Sequence, residues 1–304
     1  MPALKFFTVD VFTTRRFAGN PLAIVEGADG LETDAMQTIA REFNLSETIF
    51  VQTPDDPAHT AKVRIFFPAA EIAFAGHPTI GCAIHLAETM HPGAGDFEKL
   101  ITLEEVAGLV PVDVRRKGGV VTAQFTAPVV PHAAAGEVPT PQAAAGALGL
   151  APSDIGFAGH RTGLFVGGPT FVFVPLSSRD ALARAKPVEP AWSRITGAAD
   201  TVGVYCYTPG GDASDTDYRA RMFAPGGGIP EDPATGSASA LLAAQLLAAD
   251  ALKEGLNTIR LEQGYEMGRP SDIGLEVDLS GGAIHAVRIS GASVRVSSGE
   301  IEVS

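Results

Sequence analysis

Residues 64–83 read RIFFPAAEIAFAGHPTIGCA, and residues 221–240 read RMFAPGGGIPEDPATGSASA. In the first stretch Arg64, Phe66 and Pro68 precede Gly76, His77, Pro78, Gly81 and Ala83. In the second, Arg221, Phe223 and Pro225 precede Glu231, Asp232, Pro233, Gly236 and Ala238. The internal spacings agree on either side of a two-residue length difference between the prolines. Each stretch begins like a strand, turns at Gly and Pro, and runs into an Ala-rich apolar segment of helical length. Two copies of one strand–turn–helix unit predict two similar lobes, with His77 and Asp232 in corresponding places.

The flanking sequence extends this plan. LKFFTVDVFT at the start has the β-branched and aromatic content of a strand, FAGNP reads as a turn, and LAIVE as a second strand. LETDAMQTIAREFNL places Met36, Ile39, Ala40 and Phe43 at helical spacing. SETIFVQT, AKVRIFFPA and the segment over residues 98–128 read as further strands. Pro78 suits the first turn of the helix that follows FAGHP. A composition change to Ala, Pro and Gly near residue 130 marks a passage between lobes. The expected fold is α+β: two pseudo-symmetric lobes, each a curved sheet or barrel wrapped around a central helix. The expected boundaries are 1–127, with the C-terminal strand 290–304 available to complete that lobe, and 128–304, with the active site in the cleft between them.

At 304 residues, 45% hydrophobic and 19% charged, the chain has ample core for such a fold. Its net charge of -13 argues against nucleic-acid binding, because phosphate backbones are repelled. An anionic ligand would have to be held locally. The N-terminus lacks a secretory leader, and SASALLAAQLLAADAL is too short for a membrane span, so a cytoplasmic protein without membrane partners is expected. Cys82 and Cys206 form neither a metal-ligand pattern nor a disulfide framework.

Local anion binding has a ready source. Both apolar helices start at small residues, where unpaired N–H groups and the positive end of the helix dipole can receive a carboxylate. The bland alternative is a pair of well-capped core helices, with Asp232 an N-cap and His77 a structural histidine. A third group stands out in FNLSETIFV, residues 43–51: Glu47 lies beside a run that reads as a buried strand, which is unfavourable unless compensated. Three titratable groups in one cleft would allow acid and base roles to separate.

Taken together, DVFTTRRFAGNPLAIV, MQTIAREFNLSETIFV, RIFFPAAEIAFAGHPTIGCA, RMFAPGGGIPEDPATGSASA and LEQGYEMGRPS resemble the PhzF family of phenazine-biosynthesis isomerases. The resemblance implies the diaminopimelate epimerase-like fold and, commonly, a homodimer. It implies Glu47 as the proton-transferring base, with His77 and Asp232 as its polar partners. Ser46, Gly76, Thr235, Gly236 and Ser237 would hold the substrate carboxylate and neighbouring groups. Gln263, Gly264, Arg269 and Ser271 would shape the cleft wall. The implied reaction moves a proton between ring carbons of a dihydro-hydroxyanthranilate-like acid and needs no metal or other cofactor. Two alternatives stay open. One is a two-thiol racemase, against which Cys82 would correspond to Ser237 in the repeat and Cys206 lies elsewhere. The other is a binding or scaffold protein that kept the fold without the chemistry.

Overall fold

A helix that is apolar on every side has no face to offer water and must be enclosed. The computed structural model describes residues 3–197 and 201–303, and in it both Ala-rich helices are enclosed. The chain divides into two units, the first running to Thr126 and taking back the chain from Ser290, the second spanning Ala127–Ile289.

The first unit contains β1 (Ala3–Val11), β2 (Asn20–Glu26), α1 (Thr33–Phe43), β3 (Glu47–Gln52), β4 (Ala61–Phe66), β5 (Glu71–Ile72), α2 (Gly76–Met90), β6 (Phe97–Glu105), β7 (Gly108–Lys117) and β8 (Val120–Thr126). Pairing runs β1–β2–β3–β4–β6–β7–β8, with β2–β3 and β4–β6 parallel, and the last strand of the chain joins β8 to β1. Those eight strands close a barrel. Every residue of α2 from Gly76 to Ala87 is buried, and the helix packs against β1, β2, β3, β6, β7 and β8. Gly81 permits the close approach, since a Cβ there would stand 2.7 Å from the side chains of Leu22 and Val11. α1 lies outside, setting Met36, Ile39 and Ala40 against Val25, Phe50 and Phe66.

The second unit contains β9 (His132–Ala133), α3 (Pro141–Leu148), β10 (Gly163–Val166), β11 (Thr170–Pro175), α4 (Arg179–Arg184), α5 (Ala191–Gly197), β12 (Gly203–Pro209), β13 (Tyr218–Ala224), β14 (Ile229–Asp232), α6 (Gly236–Ala248), β15 (Gly255–Gln263) and β16 (Ser271–Ser280). The final strand is β17 (Ala283–Glu302). Its distal part pairs with β1, from Ser293 opposite Val11 to Glu302 opposite Ala3. In the second unit β9–β10–β11–β12–β13–β15–β16 are paired in that order, with β11–β12 and β13–β15 parallel. α6 packs against β9, β10, β11 and β16. Among the described residues no helix is long and apolar enough to cross a membrane.

The repeat is physical as well as textual. Arg64 forks onto Glu71 at 2.7 Å through both Nε and Nη2 and lies over the Phe66 ring. Arg221 forks onto Glu231 at 2.8 Å and lies over the Phe223 ring. Lys62 stands opposite Glu104 in β4–β6, as Arg219 stands opposite Glu262 in β13–β15. Glu104 accepts from the N–H groups of Asp55 and Asp56, and Glu262 from those of Asp212 and Ala213.

These shared contacts correct the register expected from spacing. Glu71 corresponds to Glu231, and five residues later Gly76 and Gly236 open the two helices. His77 therefore corresponds to Ser237 rather than Asp232, and Cys82 to Leu242 rather than Ser237. Spacing misled because Pro78 lies inside the first turn of α2, whereas Pro233 precedes α6. Hydrogen bonds from Thr235 and Gln263 hold residues 232–235 out of the helix.

The two short helices α4 and α5 were absent from the sequence reading. They are too brief for a periodic signal, and Ser178 supports α4 by accepting from the Ala181 N–H at 3.1 Å.

The β1–β2 loop carries backbone strain. Phe17 has φ 67°, an unfavourable value for a bulky residue, yet its side chain is 75% exposed. Its N–H is drawn to the buried Asp10 carboxylate at 2.6 Å. With so little packing to lose, Phe17→Gly is expected to stabilise the protein by about 1 kcal/mol. Chemical denaturation would read this as a higher midpoint at unchanged slope.

Candidate active site

A carboxylate at the start of a buried strand is tolerated only with polar neighbours. α1 ends on Asn44 in the left-handed conformation (φ 50°), whose N–H returns to the Ala40 carbonyl. The half-buried Ser46 forms the bend, and Glu47 opens β3 opposite Leu22 of β2. Glu47 is 7% exposed, followed by the buried Thr48, Ile49 and Phe50. Its Oε2 lies 3.3 Å from Nδ1 of His77, the second residue of α2.

Burial pushes the His77 imidazole down to about 3, partly countered by the backbone of Pro21. The ring is neutral at ordinary pH, so its contact with Glu47 is between a carboxyl and a neutral imidazole.

Asn20, read from the sequence only as part of a turn, belongs to this group. It is fully buried at the start of β2, and its Nδ2 lies 3.3 Å from the same His77 Nδ1. Gly19 makes the entry possible: its φ is +67°, and a Cβ there would meet the Val11 carbonyl at 2.3 Å. The available signal was polar Asn in a GNP turn feeding a buried strand, but its partner lies 57 positions away.

In the second unit Asp232 ends β14 and is buried, as are Thr235 and Gly236, whereas Ser237 is half-buried. The Thr235 hydroxyl donates to Asp232 Oδ2 at 2.6 Å. Gln263, fully buried at the end of β15, accepts the Thr235 N–H at 3.1 Å. It also donates to the Asp232 carbonyl at 2.8 Å and to Thr235 Oγ1 at 2.9 Å. Gly264 follows with φ +76°, where a Cβ would meet the Pro233 carbonyl at 2.6 Å. Arg269 donates its N–H to the Gly264 carbonyl, and Ser271 donates to the Arg269 carbonyl. Gln263 and Gly264 thus lie against residues 232–235, and Arg269 and Ser271 bond within the turn that follows them.

Of the predicted residues, the first unit brings together Glu47 and His77, with Gly76 adjoining His77. The second brings together Asp232 and Thr235, with Gly236 and Ser237 following. The N-cap residues of α2 and α6, Ala75 and Thr235, make no side-chain cap bond of their own.

Strand register also shows what the second unit lacks. Thr48 faces Phe66 in β3–β4, and Val204 faces Phe223 in β12–β13, so Glu47 corresponds to Gly203. No side chain fits there, because a Cβ would stand 2.3 Å from the Phe223 carbonyl.

The thiols have the wrong surroundings for bases. Cys82 and Cys206 are fully buried, and burial raises both pKa values, that of Cys206 to about 12. Among the described residues, no group of three or more His, Cys, Asp or Glu side chains is arranged to hold a metal ion.

Residues 9–299 match the family described as phenazine biosynthesis-like protein. The chain is 43% identical to an uncharacterized isomerase of Mesorhizobium japonicum, with 99% of each chain covered. It is 35% identical to the trans-2,3-dihydro-3-hydroxyanthranilate isomerase of Pseudomonas aeruginosa, covering 94% of this chain and 95% of that one. A solved PhzF-family phenazine biosynthesis protein of Bacillus anthracis superposes with a TM-score of 0.86 at 24% identity, over the whole of both chains.

Proposed function

The chain belongs to the PhzF family of isomerases, and from that premise we propose that it moves a proton between two carbons of a small cyclic carboxylate. The substrate class is that of dihydro-hydroxyanthranilate, the compound named for the Pseudomonas relative. Glu47 is the general acid–base. The observation that carries this reading is the buried Glu47 carboxyl, 3.3 Å from a neutral imidazole, whose counterpart in the other unit is a glycine.

One base suits a proton shift. The Glu47 carboxylate takes a proton from carbon, and the electron pair of the broken C–H bond spreads into the substrate's π-system. The resulting Glu47 carboxylic acid exchanges its proton with solvent and delivers one to a second carbon, so composition is unchanged and only bond positions move. Charge present between the two steps requires fixed dipoles. The start of α2 at Gly76 has that character, and Ser46 directly precedes the base. His77, beside the base, orients the ring substituents.

Incubation of trans-2,3-dihydro-3-hydroxyanthranilate in D2O is the direct test. Deuterium at the receiving carbon of the isomerised product supports the reading. Turnover of this acid, and of related cyclic carboxylates, no faster than in buffer would remove it. Equal loss of turnover in Cys82→Ala and Glu47→Gln would favour thiol chemistry.

A further inference from the structure

Matched turns of unequal length leave a place open in the first unit. Glu105 ends β6 and pairs with Gly108, so the turn into β7 has two residues, Val106 and Ala107. Its counterpart Gln263 ends β15 and pairs with Ser271, so the turn into β16 has seven, residues 264–270. The longer turn lays Tyr265 and Glu266 back over Arg219. The Arg219 guanidinium lies 4.0 Å from the centre of the Tyr265 ring, and its Nε donates to Glu266 at 3.0 Å. Under that cover the Arg219 side chain is 8% exposed.

Lys62 holds the place of Arg219 in the first unit. It faces Glu104 as Arg219 faces Glu262, and it meets Asp55 at 2.8 Å as Arg219 meets Asp212 at 3.1 Å. Among the described residues nothing takes the parts of Tyr265 and Glu266 there: Lys62 bonds to Asp55 alone and no ring covers it. Its side chain is 39% exposed. The space left is a cleft of about 480 Å³, lined by Gln52, Asp55, Lys62, Arg64, Glu104 and Val106 among others. That volume suits a small molecule. Ser46, Glu47 and His77 are not among its lining residues.

We infer that this cleft is a second ligand site, for a small aromatic acid whose ring covers the Lys62 ammonium and whose carboxylate pairs with it. The second unit supplies the template, with Tyr265 as the ring and Glu266 as the carboxylate. A cation that faces both gains from both, and gains more as water is excluded. The acidic side chains nearby are already engaged. Glu71 is held in the Arg64 fork, and Glu104 accepts two backbone N–H groups and lies 2.7 Å from His59 Nδ1. Glu231 and Glu262 are engaged in the same way, and Glu266 is accommodated beside them. The inference goes beyond the isomerase reading and does not depend on it.

The probe is 4-hydroxyphenylacetate, which joins a tyrosine-like ring to a carboxylate. Titrated into the isotope-labelled full chain and followed by NMR at the amides of Lys62, Val106 and Ala107, it is expected to saturate with a Kd of about 1 mM or tighter. The ring without the acid, 4-methylphenol, and the acid without the ring, cyclohexylacetate, should each bind there at least about fivefold more weakly. Lys62→Met removes the charge and should weaken the probe at least about fivefold. Val106 is 65% exposed, so Val106→Trp should leave the fold intact, place a ring of the chain's own over the cleft, and abolish the response at Lys62 and Ala107. No saturable response at these amides in wild type would overturn the inference. So would equal affinity for the probe and its two fragments, or an affinity unchanged in Lys62→Met or Val106→Trp. A response confined to the amides around Glu47 and His77 would mean binding in the substrate site alone and would overturn it too. Glu47→Gln is expected to lose turnover and leave this titration unchanged, which keeps failure of the isomerase reading distinct from failure of this one.

Discussion

Glu47→Gln is expected to lower turnover about 1,000-fold or more while the protein stays folded, because the amide keeps the shape of the side chain and loses its ability to accept a proton from carbon. The comparison is clean at this position. Glu47 is 7% exposed and touches His77 through one oxygen at 3.3 Å, a contact that an amide can also make. Substrate affinity should change far less than turnover, since the lost interaction belongs to the transferred proton. Deuterium transfer from D2O to the product carbon should disappear in parallel. Glu47→Asp tests distance separately: withdrawing the carboxyl by one methylene should leave on the order of 1% of the activity. Glu47→Gln activity within tenfold of wild type, with deuterium still entering the product, would falsify the assignment of the base.

The second large effect concerns stability and a carboxyl outside the proposed chemistry. Glu105 is 7% exposed, and burial pushes its carboxyl up to about 8, countered in part by its bond to Thr79. The Thr79 hydroxyl lies 2.7 Å from Glu105 Oε1 and 2.7 Å from the Ala75 carbonyl. One hydroxyl proton cannot serve two acceptors. If the carboxyl is protonated, Glu105 donates to Thr79 and Thr79 donates to Ala75, and both of these bonds are made.

The pH dependence follows from that proton. The folded-state value of about 8 lies above the ordinary 4.5, so folding binds a proton across this window. The stabilising contribution is complete below about pH 4.5 and is lost as pH rises through about 8. Between those limits it falls by about 1.4 kcal/mol per pH unit, for a total of about 3 to 5 kcal/mol. Glu105→Gln removes the titration and keeps the donor. Its counterpart Gln263 shows the bonding available, with Nε2 donating to a threonine hydroxyl at 2.9 Å. Denaturation at a series of pH values should find the variant close to wild type near pH 4.5 and several kcal/mol more stable above pH 8. Parallel stability profiles for the two proteins would show that Glu105 carries no such proton.

The sequence by itself determined much of this fold. Two apolar helices without a polar face had to be enclosed, and alternating β-branched strands were there to enclose them. The motif around Ser46 and Glu47 already placed a carboxyl at the start of a buried strand. Local pattern could not set register. His77 was matched to Asp232 because both precede a proline, whereas the Arg64–Glu71 and Arg221–Glu231 forks set Ser237 against His77. Nor could it find Asn20, whose value lies in a partner 57 positions along the chain. The direction of the Gln263–Thr235–Asp232 bonds and the proton assigned to Glu105 were equally hidden. Periodicity reports which face of an element is apolar, and that is a local property. Hydrogen-bond direction and proton occupancy depend on which polar atoms are buried together, and only the packed strands decide that.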